Sequence, residues 1–117
     1  MEIQYLKNLE ANPRMWPSYS TNKPMTLAEI ETLEELYNDN TPFPKVLREY
    51  LFLAGSYSWM LGGYMPSTQT YFREQLVIHN MVINRRFFAL LTVDETVDLV
   101  FLDEGEDDPK FYMVEDY

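Results

Sequence analysis

At 117 residues the chain is long enough for one domain with a sizeable core. Its net charge of −10, from 19 Asp and Glu against nine Lys and Arg, excludes the basic surface that nucleic-acid phosphate or an anionic membrane requires. Cysteine is absent, which removes disulfides, thiolate metal sites and cysteine nucleophiles, and fits a reducing, cytoplasmic setting. The charge is uneven. Residues 1–93 carry nine acids and eight bases, whereas residues 94–117 carry ten acids and only Lys110, a net of −9. A basic protein partner is the electrostatic complement of that end.

In chain order, Ile3, Leu6 and Leu9 recur three apart, so the spacing predicts a short amphipathic helix over 2–11. Asn12-Pro13 ends it, and Pro13, Pro17 and Pro24 make 12–25 extended, with Trp16 packed onto the core. Thr26 with Glu29 forms a capping box, and Met25 with Ile30 a hydrophobic staple. Leu27, Ile30, Leu33 and Tyr37 form the apolar stripe of that helix, with Glu31, Glu34 and Glu35 pointing elsewhere. Asn38-Asp39-Asn40 breaks it.

Pro44 opens the next helix, largely buried through Val46, Leu47, Tyr50, Leu51 and Ala54, and Gly55 stops it. Over 56–65 Tyr57, Trp59 and Leu61 alternate with Ser56, Ser58 and Met60 as in a half-buried strand, and Gly62-Gly63 reads as a turn. Ser67 caps a further helix to about Asn80, with Tyr71, Phe72, Leu76 and His79 on one side. Three strands follow at 87–93, 97–102 and 111–114, joined by the turn Asp94-Glu95-Thr96 and the acidic loop Asp103–Pro109. Short connections make them an antiparallel meander. The expectation is an α+β fold, N-terminal helices packed on a mostly antiparallel sheet, in a single domain over 1–117. Residues 1–25 form its N-terminal helix and proline-rich lead-in, and 26–117 its core. No apolar run exceeds five residues and no basic-then-apolar leader is visible, so neither a membrane span nor a signal peptide is expected.

Enzyme chemistry finds few residues to work with. His79 is the lone imidazole, no G-x-S-x-G motif is present, and a His beside Leu76 and Val77 reads as structural. Metal sites built on His and Cys are excluded by count. The run Asp103-Glu104-Gly105-Glu106-Asp107-Asp108 departs from the D-x-D-x-D-G calcium loop, and Gly62-Gly63 lacks the lysine of a phosphate loop. No cofactor is expected. Two readings of the acidic loop stand: a solvated turn, or a partner surface formed by Asp103, Glu104, Glu106, Asp107 and Asp108. Tyr57, Trp59 and Tyr64 likewise read as core residues or as interface anchors. The last strand, 111–114, leaves a sheet edge that is open to pairing or to a homodimer.

Several pieces, in order, resemble the SUKH (Smi/Knr-like) superfamily, in its bacterial immunity-protein branch. They are Asn12-Pro13-Arg14-Met15-Trp16-Pro17, the helix Leu27–Glu34, the segment Phe43-Pro44-Lys45-Val46-Leu47-Arg48-Glu49-Tyr50-Leu51-Phe52-Leu53-Ala54-Gly55, Phe87–Leu90, and Phe101–Pro109 with its acidic turn. The resemblance implies a SUKH-like α+β fold and a non-enzymatic binding protein that neutralises a toxin domain by occluding it. Many such toxins are nucleases with basic clefts. It equally admits a regulatory scaffold of the same fold without a toxin partner. Family members continue past the last strand into a C-terminal helix, which the resemblance implies is missing here or replaced by a partner. Trp16, Pro44, Gly55, Asp103 and Pro109 match as structural positions, and no interface residue carries over.

Overall fold

The computed structural model describes residues 1–14, 21–58, 64–93 and 96–115, with side chains at all of these except 91–93, 96, 114 and 115. Four helices precede three strands: α1 (Lys7–Ala11), α2 (Leu27–Tyr37), α3 (Lys45–Ala54), α4 (Met65–Ile78), β1 (Phe87–Val93), β2 (Thr96–Phe101) and β3 (Phe111–Glu115). The strands form one antiparallel meander in the order β1-β2-β3. This is the α+β arrangement expected from the sequence. Thr96 belongs to β2, paired with Val93, so the first connection is shorter than the three-residue turn read from the sequence.

Both faces of β1 and β2 are buried, which alternation alone does not predict. Phe88, Leu90, Val100 and Leu102 pack with Ile30, Leu33, Leu47, Leu51 and Ala54 of α2 and α3. On the other face Phe87, Ala89, Val97 and Leu99 pack with Phe72 and Leu76 of α4. Helix α4 joins the two cores. Met65 at its start lies in the first, and Phe72 and Leu76 lie in the second. The helix therefore passes across the edge of β1.

Local signals explain α2. Thr26 Oγ1 accepts from the Glu29 N–H at 3.1 Å, and the Glu29 carboxylate accepts from the Thr26 N–H at 3.0 Å, closing the capping box. Met25 and Ile30 are both buried, as a staple requires. Asp39 and Asn40 end the element with positive φ, a conformation short polar side chains tolerate. Gly55 is the C-cap of α3, with φ −69°. What demands glycine there is space: a Cβ would collide with the Met25 side chain and the Leu51 carbonyl.

Four expectations need correction. Helix α1 spans only Lys7–Ala11, and the Gln4, Tyr5 and Leu6 N–H groups ahead of it donate to Glu49. Helix α4 begins at Met65, with Tyr64 as N-cap and Pro66 in its first turn. Burial of Met65 moves the start ahead of Ser67, which is exposed inside the helix. Its buried stripe is Met65, Gln69, Phe72 and Leu76, while Tyr71 and His79 are exposed. Finally, Glu34 does not point away: it is buried, accepts the Phe43 N–H at 2.6 Å and pairs with Arg48 at 3.0 Å. The Trp16 packing, the 59–63 part of the predicted strand and turn, and Asp94 and Glu95 lie outside the described residues.

Candidate protein-binding surface

The acidic loop joins β2 to β3, and its five carboxylates divide into two groups. Asp103 is engaged by Arg85, whose Nη2 and Nε donate to its two oxygens at 2.6 and 3.1 Å. That guanidinium holds the Asp103 carboxyl below the ordinary carboxylate value, chiefly through the hydrogen bond. Glu104 accepts from the Tyr112 hydroxyl at 3.0 Å and lies 3.7 Å from Arg85. The Tyr112 hydroxyl is correspondingly harder to ionise. Arg85 also stacks over the Phe101 ring at 3.8 Å, and Phe101 packs against Tyr112 at 5.0 Å between centroids. Five residues from three segments thus brace the start of the loop against the sheet.

Glu106, Asp107 and Asp108 form the second group. All three are exposed, and none forms an ion pair among the described residues. Their backbone is nonetheless held. Gly105 turns the chain at φ +71°, where a side chain would be strained. The Asp107 carbonyl accepts from the Val46 N–H at 2.9 Å, tying the loop to the start of α3, and Pro109 is buried. The result is a fixed loop carrying three unneutralised carboxylates.

The structure does not bring Tyr57 to this surface. Tyr57 is half-buried beyond the C-terminal end of α3, bridged to Lys23, with the Lys23 N–H donating to the Tyr57 carbonyl at 2.9 Å. Asp107 sits at the opposite end of this ten-residue helix, about 15 Å of helical rise away. Trp59 lies outside the described residues, and Tyr64, at the N-cap of α4, is exposed.

No family model, curated protein or solved structure matches the chain. The chemistry of its surface must therefore speak for itself. Among the described residues, no group of three or more His, Cys, Asp or Glu is placed to hold a metal ion. Nor is any described helix long and apolar enough to cross a membrane. Beside α2 an open groove of about 470 Å³ is lined by Glu31, Glu34, Glu35 and Arg48 among others, and Arg48 is already ion-paired with Glu34 at 3.0 Å.

Sequence reasoning missed Glu49 and Gln69, two buried polar residues that shape this architecture. Glu49 on α3 accepts from the N–H groups of Gln4, Tyr5 and Leu6 at 2.9–3.0 Å, with Lys45 at 3.6 Å. Burial penalises its charge, but those N–H groups and the Lys45 ammonium outweigh it and keep the carboxyl below its ordinary value. Gln69 on α4 exchanges two hydrogen bonds with the Ala89 main chain, at 2.5 and 2.8 Å. Position on the apolar stripe was the available signal for Gln69. It lies four residues after Met65 and three before Phe72, so a helix reading places it inside.

Proposed function

We propose that this chain is a non-enzymatic binding domain that engages a basic protein and blocks it by occlusion, in the manner of an immunity protein. The observation that carries the reading is the braced loop with Glu106, Asp107 and Asp108 exposed and unneutralised. Concentrated, fixed charge raises the encounter rate with an oppositely charged partner by roughly 10- to 1,000-fold at low salt. The ordered resemblance to the SUKH superfamily supports the same reading. It adds a toxin domain as the class of partner and the cytoplasm as the place of action.

The test is co-expression with the product of the neighbouring coding region. Relief of its toxicity is the expected result. With the partner in hand, stopped-flow association is compared between the native chain and the triple variant Glu106→Gln, Asp107→Asn, Asp108→Asn. Association should slow by about tenfold or more at low ionic strength, and the two rates should converge near 1 M salt, where screening acts within about 3 Å. Equal rates at low salt would refute the role of the loop. Absence of rescue would refute the immunity reading.

A further inference from the structure

The two edges of the sheet are treated differently. The Arg86 carbonyl accepts from the Leu102 N–H at 2.9 Å. Alternation along an antiparallel pair then turns the main-chain groups of Phe88 and Val100 toward each other, and those of Phe87 and Ala89 outward. Helix α4 covers that outward side. Gln69 takes both the N–H and the carbonyl of Ala89, and Arg73 donates to the Phe87 carbonyl at 2.8 Å. The Arg73 guanidinium also lies over the Tyr37 and Phe87 rings, at 4.2 and 4.1 Å. Two side chains one helical turn apart thus stand in for a neighbouring strand and close the β1 edge.

Nothing among the described residues does this for β3. By the same alternation Tyr112 and Val114 face β2, and the N–H and carbonyl groups of Phe111, Met113 and Glu115 point outward. Phe111 and Met113 are 69% and 61% exposed. Natural sheets protect such an edge unless it is used, and an unprotected edge is a template for an added strand.

Charge decides what can be added. Residues 94–117, which include β3 and the loop leading into it, hold ten acids and one base. A second copy would bring a segment of the same sign to this edge, whereas an extended cationic segment would meet the opposite charge of Glu106, Asp107 and Asp108 at the loop end of β3. We propose that β3 receives a basic, extended segment of the partner as a fourth strand. Apolar side chains of that segment rest on Phe111 and Met113, and its cationic side chains lie toward Glu106, Asp107 and Asp108. The proposal rests on the basic-partner reading and adds the way the partner is held.

The probe is a synthetic octapeptide of alternating Lys and Val, added to the full chain labelled with 15N. Two controls accompany it: the alternating Glu and Val octapeptide, and the Lys and Val peptide N-methylated at alternate residues on its pairing side. The basic peptide should slow amide exchange at Phe111, Met113 and Glu115 by about tenfold or more, and leave Tyr112 and Val114 unchanged. The N-methylated peptide should produce no such slowing. Met113→Pro removes an outward N–H without breaking a bond to β2, and should weaken binding of the basic peptide by about tenfold. The triple loop variant should bind more slowly yet still show the protection.

Four results would overturn the proposal: no binding, binding without added protection at the three amides, protection in the free chain that grows with its own concentration, or equal binding of the Glu and Val peptide. The third would identify a second copy as the occupant. Binding without protection would remove the strand while leaving the basic-partner reading in place. Equal binding of the Glu and Val peptide would remove the basic-partner reading itself, and with it the charge argument for this occupant.

Discussion

Gln69→Met separates the edge-closing role of Gln69 from simple packing. Gln69 and Ala89 are both fully buried, so no water can replace a lost partner. Methionine matches glutamine in length and nearly in volume, so little cavity forms. The substitution instead orphans the Ala89 N–H and carbonyl, each at about 1–3 kcal/mol, or about 2–6 kcal/mol together. Burying the thioether in place of an amide returns about 1 kcal/mol. A net loss of about 1–5 kcal/mol follows, which at its upper end is a large share of the 5–15 kcal/mol typical of a domain. Urea denaturation followed by far-UV circular dichroism measures it as a lowered midpoint with an unchanged slope.

Gln69→Glu supplies a second, pH-dependent reading. The introduced carboxylate can still accept the Ala89 N–H, but its other oxygen confronts the Ala89 carbonyl. Protonation restores a donor there, so the folded state raises the pKa of the introduced carboxyl above the ordinary glutamate value of about 4.3. The associated stability is fully present below that ordinary value and is lost as pH rises through the raised one. The gap to the native chain should therefore narrow from pH 7 to pH 4. A Gln69→Met loss within about 0.5 kcal/mol of zero, or a Gln69→Glu gap independent of pH, would refute the reasoning.

Three further outcomes follow from the buried and braced groups. Glu49→Gln removes the charge that three main-chain donors share, so amide exchange at Gln4, Tyr5 and Leu6 should accelerate well ahead of exchange in α3. Because the Glu49 carboxyl titrates below its ordinary value, its contribution is present above the unfolded pKa and lost as pH falls through the folded one; the Glu49→Gln variant should lack that acid-side loss. The Tyr50 hydroxyl is pushed up to about 12, first by burial, with the Ser58 hydroxyl partly opposing. Its contribution, up to about 2–3 kcal/mol, holds below pH 10 and disappears between about pH 10 and 12, a decline that Tyr50→Phe should abolish in alkaline denaturation. Arg85→Gln should raise the NMR-measured pKa of Asp103; an unmoved titration would show that Arg85 does not brace the loop.

Much of the candidate surface was legible before folding. The concentration of charge after residue 93, the loop between two strands and the open last strand all lie within one short stretch of chain. What the stretch could not disclose is which carboxylates are free. Asp103 and Glu104 look like Glu106 in sequence, but they are answered by Arg85, 18 residues from Asp103 along the chain. Tyr57 stands apart from the loop because α3 holds the two at opposite ends, a separation that adjacent sequence patterns do not encode.

The sequence by itself determined the elements: a capping box, apolar spacing, asparagines tolerant of positive φ and alternation in the strands are local and need no partner. Only the tertiary structure decided the polar interior. Glu34, Glu49 and Gln69 break local pattern rules, and each is stable because its partner arrives from a distant segment. It also decided the burial of β1 and β2 on both faces and the closing of the β1 edge by Gln69 and Arg73. A strand's residues encode their own alternation, but which side a helix covers depends on the path of α4 across β1, and that path is set by burial of Met65, Phe72 and Leu76 together.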